Sequence, residues 1–125
     1  MQPISKLTMF QMAVGDMPKA KNFYIEKLGL KVTKDYRQDD NNWWVSLSTP
    51  EGNTSITLTT HHGHMKAGAL TLYFTASDID TSHAELAKRN VEVSEIQNDL
   101  YGPGSAVKWF NFNDPDGNLI HVAQA

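Results

Sequence analysis

The fold of this chain is decided by a stretch that occurs twice, as FQMAVGD at residues 10–16 and as LYFTASD at residues 72–78. In each copy a short apolar run typical of a β-strand ends at an aspartate and leads into a helical pattern. An aspartate at that place accepts hydrogen bonds from the free amides of the first helical turn, so Asp16 and Asp78 are predicted N-caps. The two aspartates are separated by about half of the 125 residues, which indicates a duplicated unit.

Each predicted helix is followed by material for three strands. The first helix continues to Leu28 and stops at Gly29, and the second stops around Asn90. The predicted strands are residues 30–36, 43–48 and 55–60 in the first half, and 91–96, 107–112 and 119–123 in the second half. Each copy therefore has the order βαβββ. We expect one α+β domain over residues 1–125, with module one at about 5–62 and module two at about 67–125.

Alternation along the strands predicts two different faces. One is apolar and is expected to pack under the helices; it carries Trp43, Val45, Leu47, Ile56, Leu58, Leu72, Phe74, Ile120 and Val122. The opposite face is uncharged, half polar and partly aromatic. Such a lining is typical of a ligand pocket, whereas an exposed antiparallel face usually carries charges. Its candidate ligand-binding residues, with Trp109 added as a further aromatic, are Gln11, Trp44, Ser46, Thr57, Thr71, Tyr73, Trp109 and His121.

Composition excludes several classes of function. The formal net charge is -3 and no basic run occurs, so we expect no nucleic-acid partner. No apolar stretch is long enough for a membrane span, and residues 2–6 after Met1 are not a signal core, so we expect a cytoplasmic protein without a membrane partner. Without cysteine, any metal must take histidine or oxygen ligands. No nucleophile elbow or phosphate-binding loop occurs.

The strand–helix unit at the start and the turn near the end resemble one known family. Val14-Gly15-Asp16, then Phe23-Tyr24 and Leu28-Gly29-Leu30, are similar to the first unit of the vicinal oxygen chelate superfamily, the glyoxalase, bleomycin-resistance protein and dioxygenase family. The run NDPDGNLI at residues 113–120 resembles its closing hairpin. The resemblance implies two βαβββ modules whose eight strands form one curled mixed sheet around a cavity, with the helices outside. It also implies a homodimer.

Enzymes of that family hold a divalent metal with ligands from four strands. The resemblance matches those positions to Met9, Thr57, Thr71 and His121, and a shift of register substitutes Gln11 in the first strand. A thioether and neutral hydroxyls bind hard divalent ions weakly, so we expect no conventional metal centre and no cofactor. The loop with His61, His62 and His64 is a further candidate for metal binding, but no spacing there directs three imidazoles to one point.

Two functions therefore remain open at the level of the sequence. The first is a protein that binds a small aromatic or antibiotic-like molecule in an uncharged pocket without a metal. The alternative is a divergent metal-dependent lyase or dioxygenase, in which His121 acts with Gln11 or with a residue of a partner subunit. The identity of the small-molecule ligand does not follow from the sequence.

Overall fold

The computed structural model describes residues 2–125, which divide into two compact units, one ending at Ala67 and the other spanning Gly68–Ala125. The first unit contains β1 (Met9–Ala13), α1 (Met17–Asn22), a π-helical segment (Phe23–Lys27), β2 (Lys31–Asp39), β3 (Asn42–Ser48) and β4 (Ser55–Thr59). The second unit contains β5 (Thr71–Ala76), α2 (Ile79–Lys88), β6 (Trp109–Asn113) and β7 (Leu119–Gln124).

The two units share one pattern of strand pairing. In the first, the strand order is β1-β4-β3-β2, with β1 parallel to β4 and the other pairs antiparallel. In the second, the order is β5-β7-β6, with β5 parallel to β7 and β6 antiparallel to it. In both, the strand that precedes the helix pairs with the last strand of the same unit. The structure is therefore α+β with mixed sheets, as predicted.

Both helices begin at the predicted caps. The Asp16 carboxylate accepts a hydrogen bond from the Lys19 amide at 3.1 Å, and the Asp78 carboxylate accepts one from the Thr81 amide at 3.2 Å. At the far end of the first helical stretch Gly29 has a φ of 77°, a left-handed conformation that glycine adopts without a steric penalty.

The prediction of one eight-stranded sheet is wrong in its strand count and continuity. The described residues form two sheets. They have seven strands in all, because residues 91–96 are not a strand. The Val93 amide donates to the Val91 carbonyl, which turns the chain, and the Asn111 amide donates to the Ser94 hydroxyl instead of a backbone carbonyl. These bonds interrupt a regular ladder. The Ser94 amide donates to the Asn111 carbonyl, and an isolated bridge joins Gln97, just after this segment, to Trp109 on β6.

The apolar face forms the core of each unit. Four predicted core residues on β3 and β4 and two on β7 are buried, and two on β5 are half-buried. In that order they are Val45, Leu47, Ile56 and Leu58; Ile120 and Val122; and Leu72 and Phe74. Trp43 is half-buried, because its indole N–H donates to the partly exposed Asp35 carboxylate at 2.8 Å. Within residues 2–125, neither α-helix has the length and apolar character needed to cross a membrane.

Candidate functional site

Three polar side chains lie side by side across the sheet of the first unit. Strand register pairs Gln11 on β1 with Thr57 on β4, and Thr57 with Ser46 on β3; we call these three the first-unit row. Gln11 is exposed and Thr57 is buried. The Ser46 and Thr57 hydroxyl oxygens are 2.9 Å apart and share a hydrogen bond. One of the two hydroxyls therefore donates to the other.

An aromatic group borders the first-unit row. Trp44 on β3 is half-buried, and its ring centroid lies 5.8 Å from that of Tyr36 on β2. The centroid of the His61 ring, in the connection that follows β4, lies 6.2 Å from the centroid of the Trp44 ring. Sequence reasoning missed Tyr36, although its place opposite Trp44 in the neighbouring strand follows from the alternation of the two strands.

The second unit brings three of the predicted residues into direct ring contact. His121 on β7 pairs in register with Tyr73 on β5, and their rings are stacked with centroids 4.7 Å apart at 22°. The Trp109 ring on β6 meets His121 edge-on at 5.3 Å and 61°. We call Tyr73, Trp109 and His121 the aromatic cluster. His121 is 9% exposed and Tyr73 is 59% exposed, so the cluster has a buried centre and an accessible side.

Two polar atoms of the aromatic cluster are buried and lack a partner. Within the described residues, neither Trp109 Nε1 nor His121 Nδ1 has a hydrogen-bond partner. Burial also lowers the pKa of His121 below its ordinary value, because the imidazolium form loses hydration. The imidazole is therefore neutral at pH 7, with one donor and one acceptor nitrogen.

Two more residues complete the face of the second unit. Thr71, at the start of β5, is exposed and lies opposite Leu119. Asn111 on β6 pairs in register with His121 and is half-buried. Sequence reasoning missed Asn111, although it lies two positions from Trp109 in a predicted strand and therefore on the same face. We call Tyr73, His121 and Asn111 the second-unit row.

The donor chemistry at the positions matched to a metal site does not fit a divalent metal. His121 is the one strong ligand among them; Thr57 is already bonded to Ser46, and Met9 offers a thioether. No three His, Asp or Glu side chains between residues 2 and 125 group closely enough to hold an ion. In the connecting loop, the His62 imidazole Nε2 lies 2.7 Å from the Val14 carbonyl oxygen, while the His61 ring contacts Trp44.

Comparison with known proteins gives one family and a set of similar structures. The family model described as Glyoxalase/Bleomycin resistance protein/Dioxygenase superfamily matches residues 6–122. The chain is similar to TnmS3, an antibiotic binding protein from Streptomyces sp. CB03234, with 30% identity, a TM-score of 0.86 and coverage of 99% of this chain and 98% of that one. It is also similar to a glyoxalase/bleomycin resistance protein from the same organism, with 30% identity, a TM-score of 0.77 and coverage of 95% and 100%.

A more distant structure has the same fold. A superfamily member from Sphaerobacter thermophilus DSM 20745 is 24% identical, with a TM-score of 0.80 and coverage of 98% of both chains. No curated protein matches the sequence significantly.

Proposed function

The chain belongs to the glyoxalase/bleomycin resistance protein/dioxygenase superfamily, and on that premise we propose that it binds a small aromatic or antibiotic-like molecule without a conventional metal centre. The observation that carries this proposal is the aromatic cluster of Tyr73, Trp109 and His121. Flat rings offer a large contact area to another flat ring, and the buried polar atoms beside them offer orientation.

The electrostatics of the second unit support an uncharged ligand. The cluster, its register neighbour Asn111 and Thr71, two positions before Tyr73 on β5, carry no formal charge while His121 is neutral. A charged ligand would lose its hydration there without gaining an opposite charge, which is unfavourable in a partly buried site. The ligand proposed is therefore a neutral molecule with an aromatic part.

The similarity to an antibiotic binding protein supports the same class of ligand. That relative is 30% identical over nearly the whole of both chains. The first-unit residues Gln11, Trp44, Ser46 and Thr57, together with Thr71, stay predicted ligand contacts. None of these five side chains carries a charge.

A thermal-shift screen with aromatic antibiotics tests the proposal. We expect chloramphenicol or another neutral aromatic antibiotic to raise Tm, since a ligand at one hundred times its Kd stabilises the folded state by about 2.7 kcal/mol. His121→Ala should abolish the shift in Tm, whereas Trp43→Phe, on the apolar face of the first unit's sheet, should keep it. A screen in which no aromatic compound shifts Tm, or in which His121→Ala retains the full shift, would contradict binding at the cluster.

Calorimetry with metal ions tests the second half of the proposal. Zn²⁺, Ni²⁺, Mn²⁺ and Fe²⁺ should show no tight stoichiometric binding, because His121 has no second strong ligand beside it among its register neighbours. Tight 1:1 binding that His121→Ala abolishes would overturn the metal-free proposal and favour the lyase or dioxygenase alternative.

A homodimer and a cytoplasmic location belong to the same proposal. The first unit exposes Ile4, Leu7 and Met9, which support a subunit contact because apolar side chains in neighbouring positions gain from burial. The lack of cysteine is compatible with a reducing compartment. Light scattering at micromolar concentration should give twice the 14.0 kDa mass of the chain, and a monomer would contradict the dimer.

A further inference from the structure

The unpartnered atoms of the aromatic cluster carry information about the ligand. Buried polar groups in folded proteins are nearly always hydrogen-bonded, and leaving one unsatisfied costs about 1–3 kcal/mol. Trp109 Nε1 and His121 Nδ1 are both buried, both lack a partner in the described chain, and belong to rings in contact. Two such atoms on neighbouring rings indicate that a partner from outside the chain is expected there.

The chemistry of the two nitrogens narrows that partner. An indole N–H only donates, so Trp109 requires an acceptor, and an oxygen is the usual one. The neutral imidazole of His121 donates or accepts at Nδ1 according to its tautomer, so it serves a carbonyl or a hydroxyl equally well. A neutral oxygen function on a flat ring satisfies both nitrogens, whereas a hydrocarbon ring satisfies neither.

Tyr73 covers the His121 ring. No solvent reaches Trp109 Nε1 or His121 Nδ1, so a ligand atom meets them only after a neighbouring side chain moves. Tyr73 lies on β5, an edge strand of its sheet, and is 59% exposed while its ring covers His121. A flat ligand that displaces this ring exchanges one stacking contact for another, so the displacement costs little.

We propose that the aromatic cluster selects planar molecules bearing a neutral oxygen acceptor, which Trp109 Nε1 and His121 Nδ1 recognise after Tyr73 swings aside. This inference rests on the proposed function and deepens it: it names the chemical group that is recognised and the residue whose ring stacks on His121. Trp109 and His121 determine specificity, and Tyr73 moves aside when the ligand reaches the His121 ring.

A matched pair of probes tests the inference, 9-fluorenone with a carbonyl and fluorene without one. Calorimetry should show that the wild type prefers fluorenone about tenfold, a difference of about 1.4 kcal/mol. Trp109→Phe keeps an aromatic ring without the N–H and should bring the two affinities within about twofold to threefold. Trp43→Phe makes the same chemical change on the opposite face of the first unit and should keep the preference. Tyr73→Ala should keep the ratio of the two affinities, because Tyr73 carries neither of the recognising nitrogens.

An NMR measurement on the wild-type protein guards against a variant that fails to fold. Fluorenone should shift the Trp109 indole N–H resonance strongly, and fluorene should shift it weakly. Equal binding of the two probes, or a preference that survives Trp109→Phe, overturns the inference and leaves the proposed function standing. If neither probe binds the wild type while aromatic antibiotics do, the inference also fails; if nothing aromatic binds, the proposed function fails with it.

Discussion

The two units present the same sheet positions with opposite hydrogen-bonding outcomes. In the first-unit row, the hydroxyls of Ser46 and Thr57 are bonded to each other. In the second-unit row, the position that corresponds to Thr57 carries His121, whose Nδ1 lacks a partner in the described chain. The two units share a pattern of strand pairing, but Ser46 and Thr57 share a hydrogen bond in the first unit, whereas His121 Nδ1 has no partner within the described residues of the second. On the proposed function, a ligand supplies the partner of this buried nitrogen.

The junction between the parallel strands differs in the same way. In the first unit, Thr54 just before β4 donates its hydroxyl hydrogen bond to the Leu7 carbonyl at 2.9 Å. In the second unit, Asn118 just before β7 is completely buried; its side chain accepts from the Leu70 amide and donates to the Asp114 carboxylate. The side chain at the first junction therefore makes one neutral hydrogen bond, whereas the side chain at the second belongs to a buried network.

The largest expected effect distinguishes these two junctions. Asn118→Ala should lower the free energy of unfolding by about 3 kcal/mol, because it leaves the Leu70 amide and the buried Asp114 carboxylate without these bonds. Thr54→Val should cost only about 0.5–1 kcal/mol, the usual net value of one hydrogen bond. Urea denaturation followed by circular dichroism measures both. Equal losses would mean that the two junctions contribute alike and would remove this difference between the units.

The next expected change in the free energy of unfolding is smaller, and its sign is opposite in the two units. His121→Leu should raise the free energy of unfolding by about 1 kcal/mol, since an unsatisfied buried nitrogen disappears and apolar volume is kept. Thr57→Val should lower it by about 1 kcal/mol, because Ser46 loses its hydroxyl partner. The same denaturation experiment gives both values. A clear loss of stability in His121→Leu would show that the imidazole already has a stabilising partner, such as an ordered water.

The sequence predicted most of what the two units share and less of what separates them. Capping aspartates, strand alternation and the Gly29 stop are local signals, so both helices, seven strands and the buried faces followed from them. The missing strand at residues 91–96 did not follow, because its Val-Glu-Val alternation favours a strand while the tertiary bonds of Ser94 and Asn111 replace the ladder. Local propensity is weak against such bonds.

Alternation indicated the residues of the aromatic cluster but not how their side chains group, and their role as ligand contacts stays a prediction. His121, Tyr73 and Trp109 followed from alternation and from their aromatic character. That two of them would bury an unpartnered nitrogen depends on packing of side chains from three strands, which no spacing in the sequence encodes. The hydroxyl pair of Ser46 and Thr57 likewise depends on the register between β3 and β4.

Each unit also has an ion pair that involves its helix. The contributions of these two pairs to the free energy of unfolding should differ less than those of the two junctions. Lys21 on α1 lies 2.7 Å from the Asp35 carboxylate on β2, while Lys108 lies 4.0 Å from Asp80 on α2. Lys21→Met should cost about 0.5 kcal/mol and Lys108→Met close to nothing, because exposed pairs are screened by solvent. Repeating the measurement in 1 M NaCl should remove most of the Lys21 effect. An effect that persists at high salt would point to packing of the Lys21 stem instead of its charge.

The smallest expected effect is the pH dependence of the free energy of unfolding, which also differs between the units. Burial lowers the pKa of His121, so between its folded pKa and about 6.5 the unfolded chain binds the proton more readily and stability falls as the pH falls. In the first unit, the hydrogen bond from Lys21 lowers the pKa of Asp35, and this stability is present above the ordinary pKa of about 3.8 and lost as the pH falls through the lowered value. The denaturant concentration at the midpoint of unfolding should therefore decrease over two separate pH ranges between pH 7 and pH 3. His121→Leu should flatten the upper range and leave the lower one. Lys21→Met should reduce the fall in the lower range and leave the upper one; Asp78 of the second unit, whose pKa is lowered by the hydrogen bond from the Thr81 amide, also contributes to the lower range. If His121→Leu left the upper range unchanged, another histidine would carry that slope and burial would not lower the pKa of His121.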